Sequence, residues 1–389
     1  MGVELSRWII ENIDSIDSID LLRREDWAAV TSRASGLSAL PDGSYTLNSE
    51  YLVQLEGSET EPFPEPVLRP SKRTVAYVPS SDIVSLVVDR DTEASGRGVK
   101  VGVIDTGLTP KGPQWAHSTP EVHRVRGFTN GDWHGHGSHI SSLIGGAPAE
   151  TEYGLLTGIA PGVEIVSIKA FNPAGSTSTR YILKAMERAI ELGCNIVNIS
   201  SGSTQHEDVD AMEEHKLMAE NPEVIFVCAA GNGADEWSIS APGVSPHAIT
   251  VGSVSFNDGE LSYFNSLGPS GEWYQNHPEE FEADKKKYGN ALIKPDFVAP
   301  GGGRAEAGMR PIEVITSSGG GWYGAYYDGK RDGFMSAQGT SQAAPVVAGI
   351  IALLMEEGKV RTANDVRRRF HTKREGWGYG VPLLSKFGM

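Results

Sequence analysis

Five short apolar runs, "GVKVGVID", "EIVSIKAF", "NIVNIS", "VIFVCAAGN" and "HAITVGSV", lie in order between Gly98 and Val254. Each has the length of a β-strand and is mostly apolar, without the regular alternation of apolar and polar residues that a strand with one wet face would show. Such runs suit strands buried on both faces, as in a parallel sheet covered by helices. Between the second and third runs, Thr179 to Leu192 puts Ile182, Leu183, Met186 and Ile190 on one side and Lys184, Glu187, Arg188 and Glu191 on the other. Gly193 follows as a stop, so this stretch reads as a crossover helix. The pattern predicts an α/β fold with a doubly wound, mostly parallel sheet.

Residues 1–78 do not join this pattern. They hold one amphipathic helix candidate from Ser6 to Ile19, one alternating strand candidate in "YTLNSEYLVQLEG", and the Pro-rich, charged stretch "SETEPFPEPVLRPSKR". They read as a small α+β extension on a linker, ahead of a main domain at 79–389. Later in the chain, "GEWYQNHPEEFEADKKKYGN" is polar and charged and reads as a surface loop or a specificity element. With 389 residues, of which 39% are hydrophobic, there is enough apolar material for one large core or two smaller ones. A net charge of -16 argues against a nucleic-acid partner, whose phosphates call for clustered Lys and Arg. Cys194 and Cys228 both sit in apolar runs and read as buried structural thiols. The start "MGVELSRWIIENIDSIDSID" lacks the basic opening and apolar stretch of a signal peptide, and no segment reaches the roughly 20 apolar residues of a membrane helix. The expectation is a cytoplasmic protein with no membrane partner, with secretion by another route left open.

Packing does not explain four features. Asp105 ends the first apolar run, on the sheet edge where open α/β folds bind ligands, although a lone Asp-x-Gly also serves as a turn or helix cap. "GDWHGHGSHISSLIGG" puts His134, His136 and His139 close together, and Ile140, Leu143 and Ile144 then follow at helical spacing. His136 therefore opens a helix with a buried face. The histidines are not spaced i,i+4, and no Cys or carboxylate lies near enough in sequence to complete a metal site. Ser341 stands at the mouth of "SQAAPVVAGIIALL", a helix apolar all round that tolerates Pro345 in its first turn. It could be a simple N-cap or a nucleophile at the positive end of a helix dipole. Asn232, between glycines at a strand end, could donate a hydrogen bond to a developing oxyanion. A serine hydroxyl attacks only when a base takes its proton, and that base needs a third group to fix its tautomer.

"VGVIDTG", "HGHGSHISSLIGG", "NISSG", "AAGNG" and "GTSQAAPVVAG" together resemble the signature blocks of subtilisin-like serine proteases, in the family's order Asp, His, Ser. The resemblance covers roughly residues 80–389. It implies a serine endopeptidase working through an acyl-enzyme, with Asp105 as orienting acid, His136 as base, Ser341 as nucleophile and Asn232 as oxyanion donor. His139 becomes a structural side chain and His134 matches no role. The substrate, a peptide or protein, would lie extended between Ser200, Ser201, Gly202 on one side and Gly175, Ser176, Thr177 on the other. Ala230, Gly231, Gly233 and Ser240 would line an uncharged primary pocket.

No cofactor is required by that chemistry. The family's stronger calcium site draws on an Asp shortly after the catalytic one, and "LTPKGPQWAHSTPE" holds none, so calcium stays open. A Glu in place of His136 would mark the related carboxyl proteases. An acyl transferase of the same fold, ligating or cyclising peptides, has the same residues, and a non-catalytic binding protein is a third reading. Residues 1–78 have the size of the family's propeptides, which assist folding and then block the cleft, or they form a lasting accessory domain. The stretch from Glu59 to Ser81 is the one expected to reach the crevice as an intramolecular inhibitor.

Overall fold

The computed structural model describes residues 52–55, 77–110, 113–116, 120–126, 128, 131–256, 259–303, 313–317, 333–370 and 372–387. Its strands are β1 (Leu52–Leu55), β2 (Tyr77–Pro79), β3 (Lys100–Asp105), β4 (Glu121–Arg124), β5 (Ala149–Thr151), β6 (Gly154–Leu156), β7 (Glu164–Lys169), β8 (Ser176–Ser178), β9 (Ile196–Ile199), β10 (Ser201–Gly202), β11 (Ile225–Ala229), β12 (Ile249–Ser255), β13 (Phe297–Gly302), β14 (Glu313–Ser317) and β15 (Phe334–Ala337). Its α-helices are α1 (Ser80–Val87), α2 (His136–Gly145), α3 (Thr179–Glu191), α4 (Glu213–Glu220), α5 (Glu272–Asn276), α6 (Pro278–Tyr288), α7 (Thr340–Glu356) and α8 (Ala363–Arg367).

All five apolar runs are strands of one seven-stranded sheet, ordered β13-β12-β11-β9-β3-β7-β4. Every pairing in it is parallel. Alternate side chains feed two cores, because a strand's residues point to opposite faces in turn. From β3 and β11, Val101, Val103, Ile225 and Val227 join α2 and α7 on one face. Ile104, Phe226 and Cys228 join Ile182, Ala185, Met186 and Ala189 of the expected crossover helix α3 on the other. Each such aliphatic or aromatic side chain contributes about 1.5–3 kcal/mol of burial. Both thiols are free and buried, and burial pushes each up to about 12, so they act as core residues.

Two local readings change. The segment from Glu272 to Tyr288 is a helix pair rather than a loop. Pro278 occupies the first turn of α6 with Glu279 and Glu280, while Lys285, Lys286 and Lys287 fill its last turn, which suits the helix dipole at both ends. Tyr274 and Phe281 anchor the pair in a third core with Val209, Ile239 and Val244. Helix α7 opens at Thr340, which places Pro345 inside the helix instead of in its first turn. The helix expected at 6–19 and most of the N-terminal extension lie outside the described residues. Within that extension, Leu52–Leu55 forms the strand predicted from alternation.

Candidate active site

Asp105 is the last residue of β3, and Ser200 directly follows β9, its neighbour in the sheet, so both lie on the carboxyl edge. The turn after Asp105 passes so close to α2 that a Cβ on Gly137 would stand 2.2 Å from the Gly107 carbonyl oxygen. Only glycine permits that approach, and the approach brings the start of α2 onto Asp105. There His136 Nδ1 lies 2.9 Å from Asp105 Oδ1 and 3.0 Å from Oδ2. Asp105 Oδ1 also accepts the Thr106 N–H at 2.7 Å. Acceptance by a carboxylate requires the hydrogen on Nδ1, which leaves Nε2 as the basic nitrogen. Asp105 and His136 are both buried.

Ser341 sits in the first turn of α7, fully buried, and its Oγ donates to the Ser200 carbonyl at 3.0 Å. Pro345 has no N–H to offer the Ser341 carbonyl four residues earlier. The Ser200 hydroxyl donates to that carbonyl instead, at 3.0 Å, while itself accepting from Asn198 Nδ2 at 2.9 Å. Ser200 thus clasps Ser341 from both sides. Asn232 Oδ1 accepts from both the N–H and the hydroxyl of Thr340, each at 3.0 Å. With its oxygen tied back to α7, its amide N–H₂ is turned outward.

The proposed substrate strands come together around a third. Strand β1 runs antiparallel to both β8 and β10: Val53 pairs with Thr177 and Gln54 with Ser176, while Gln54 also pairs with Gly202 and Leu55 with Ser201. The segment between the two edges is therefore Leu52–Leu55, upstream of the stretch expected to reach the crevice. Gly175 closes the turn before β8 with φ 77. Ala230, Gly231 and Ser240 are adjacent: the Ser240 N–H reaches the Ala230 carbonyl at 2.8 Å, and a Cβ on Gly231 would meet Ser240 Oγ at 2.6 Å. Gly233 is exposed, its N–H held by Ser266 Oγ at 2.9 Å.

Sequence reading missed four residues here. Thr340 orients Asn232. Thr106 accepts the Gly137 N–H at 2.8 Å and donates to Asp132 at 2.9 Å. Asp132 and Lys169 are buried charges beside the Asp105–His136 pair. Lys169 lay inside a run read as core strand, and Asp132 stood beside a glycine as turn residues do, so neither carried a signal. His134 is buried edge-to-face with His136 at 6.2 Å, and burial, then the neighbouring His136, hold it well below the usual histidine range. His139 is buried within α2. Among the described residues no group of three or more His, Cys, Asp or Glu could hold a metal ion, and no helix is long and apolar enough to cross a membrane.

Residues 96–378 match the model of the subtilase family, peptidase S8. The chain is 28% identical over 277 residues to an intracellular serine protease of Paenibacillus polymyxa, covering 68% of each. It is 26% identical over 321 residues to the serine protease AprX of Bacillus subtilis, covering 75% of this chain and 64% of AprX. With subtilisin DY of Bacillus licheniformis it shares 27% identity over 302 residues, covering 75% and 90%. The solved protease domain of PatA has the same fold, with a TM-score of 0.56 at 19% identity over 77% of this chain and 96% of that one. A family match over most of the chain, on a seven-stranded parallel sheet covered by helices, places it in the subtilase family, as a subtilisin-like serine endopeptidase.

Proposed function

We propose that Ser341 is the nucleophile of this endopeptidase, His136 its general base, Asp105 the group that fixes the imidazole, and Asn232 with the Ser341 N–H the oxyanion donors. We propose further that the segment containing Leu52–Leu55 is its intramolecular inhibitor. The observation that carries the reading is β1, held as the middle strand between β8 and β10. Its register runs from Ser178 and Gly202 toward Ser201, so the strand advances toward Ser200 and the Ser341 hydroxyl that Ser200 holds. Backbone pairing on both edges binds a chain without reading each side chain.

In that reading the Ser341 proton leaves the Ser200 carbonyl for His136 Nε2 as Oγ attacks the scissile carbonyl. The oxyanion takes hydrogen bonds from Asn232 and the Ser341 N–H. His136 then returns the proton to the departing amine, and water repeats the sequence on the acyl-enzyme. No step calls on a cofactor. A charged side chain in a pocket lined by Ala230, Gly231, Gly233 and Ser240 would be desolvated without a partner, so apolar or medium-sized residues are preferred before the scissile bond. In this form of the chain Ser341 and His136 are buried, as a blocked cleft requires. The relative named an intracellular serine protease supports an intracellular place of action.

A fluorophosphonate probe on the full chain tests both halves. It should label Ser341 slowly, and a Val53→Pro, Gln54→Pro variant should be labelled and turn over peptide faster, because a middle strand donates every N–H and proline has none. Label on another serine rejects the nucleophile. Unchanged rates in the proline variant reject the inhibitor.

A further inference from the structure

We infer that Asp132 is a positioning residue of the active site, a buried carboxylate that locks the helix carrying His136 onto the turn carrying Asp105. This rests on the triad reading above. Asp132 Oδ1 accepts the N–H groups of His134 (3.1 Å) and Gly135 (2.8 Å) and the Thr106 hydroxyl (2.9 Å). Its Oδ2 accepts the N–H and the hydroxyl of Ser138, each at 2.8 Å. Three of these donors are backbone groups at the start of α2, where free N–H groups and the positive end of the helix dipole favour an anion.

The two hydroxyls fix the protonation state. Thr106 Oγ1 already accepts the Gly137 N–H at 2.8 Å, and Ser138 Oγ already accepts the Thr109 N–H at 3.0 Å. Each hydroxyl hydrogen therefore points at Asp132, whose contacts are all donors, an arrangement that fits the ionised carboxylate. Thr106 is the residue after Asp105, and Gly137 the residue after His136, so the chain Asp132–Thr106–Gly137 spans the two catalytic residues from behind. Their hydrogen bond, at 2.9 Å, depends on the spacing of those two backbones. A shift of an ångström there would cost turnover without touching the substrate strands. The charged group acting on Asp132 is Lys169 at the end of β7, whose Nζ donates to the Gly131 carbonyl at 2.7 Å and which also lies in the field of Asp105 on β3, while the titratable His134 and His136 stand at the start of α2, where Asp132 accepts its backbone donors.

The test uses the full chain with Asp132→Asn, Thr106→Val and Thr106→Ser, measuring kcat, KM, the pH profile of kcat/KM and the folded fraction by circular dichroism. Asp132→Asn should lower kcat about tenfold or more with KM within about twofold. Its acid limb should move to lower pH, because a lost negative charge beside His136 disfavours the imidazolium. Thr106→Val should lower kcat in the same way, and Thr106→Ser should restore it by returning the hydroxyl. Full kcat in folded Asp132→Asn overturns the inference, as does a loss that only tracks the folded fraction. Should Asp132→Asn fail to fold, the threonine pair decides, and Thr106→Ser as impaired as Thr106→Val overturns it. Loss of Ser341 labelling in the native chain would instead overturn the triad reading on which this one rests.

Discussion

Asp132 and Asp296 are both buried aspartates, and the molecule treats them in opposite ways. Asp296, just ahead of β13, is met by cations: Lys294 Nζ at 2.9 Å, Arg367 Nε at 2.9 Å and Lys373 Nζ at 3.0 Å. Burial opposes its ionisation, yet Arg367, Lys294 and Lys373 hold it well below the usual carboxylate range. Asp132 is met by neutral donors, with the Lys169 ammonium nearby. Burial raises its carboxyl, and the Gly135 N–H, Lys169 and Ser138 only partly offset this. The difference teaches where negative charge is useful. At Asp296 it is cancelled, and the cluster ties β13 to α8 and the C-terminal segment. At Asp132 it is gathered by backbone N–H and hydroxyl dipoles at the start of the helix that carries His136.

The largest effect expected from this contrast is on stability. Asp296→Asn strands three cations, of which Lys294 is already pushed down to about 7 by burial. Removing one partner of a buried ionic cluster costs about 3–5 kcal/mol, and the midpoint of thermal unfolding should fall by roughly 5 °C. Well below that midpoint kcat should stay within about twofold of native, since nothing at Asp296 touches Asp105 or His136. A fall in kcat in fully folded Asp296→Asn would break the division between structural and catalytic carboxylates.

Much of this was legible in the sequence, and the limits are physical. The strands of the large sheet were legible because burial on both faces leaves mostly apolar runs without regular alternation, and Asp105 stood out as an acid at the end of such a run, Ser341 as a hydroxyl at the mouth of an apolar helix. The helices at Glu272–Tyr288 were not, because Tyr274 and Phe281 are the only apolar residues they bury fully, Asp284 is the third buried residue, and the charges around them read as solvated loop. Asp132 and Thr106 were hidden for another reason: their role lies in hydrogen bonds between segments 26 residues apart, which no local pattern records. The strand in the cleft was predicted as a strand, but its place between β8 and β10 is a tertiary fact.

Glu214 on α4 extends the comparison to a carboxyl that, among the described residues, is given neither cations nor a cage of donors. Burial pushes it up to about 7 from 4.5, its own backbone N–H opposes this, and Glu213 and Glu207 add to it. A folded value above the unfolded one means that the folded state holds the extra proton. Its stability contribution is therefore complete below pH 4.5 and is lost as pH rises through about 7. Glu214→Gln should unfold at a higher temperature than native at about pH 8, by an amount on the order of 2 kcal/mol, with little difference near pH 4.5. Equal melting at both values would mean that Glu214 has a partner at neutral pH, and the three-way contrast would reduce to two.

The smallest effect is the sharpest test of charge against geometry. Lys169 is lowered by burial and raised by Asp132 and Asp105, so its ammonium sits in the field of both carboxylates beside His136. Lys169→Met keeps most of the buried stem and removes the cation, which should favour the imidazolium and move the acid limb of kcat/KM to higher pH by a few tenths of a unit. Asp132→Asn should move the same limb the other way. The Gly131 carbonyl loses its lysine donor in the methionine variant, a cost of about 1 kcal/mol in stability that a melting curve will register separately. Opposite displacements identify charge as what both residues impose on His136. Displacements in the same direction, or none in Lys169→Met, would mean that Asp132 works through the spacing of Thr106 and Gly137 alone, and that its negative charge serves only to gather the donors at the start of α2.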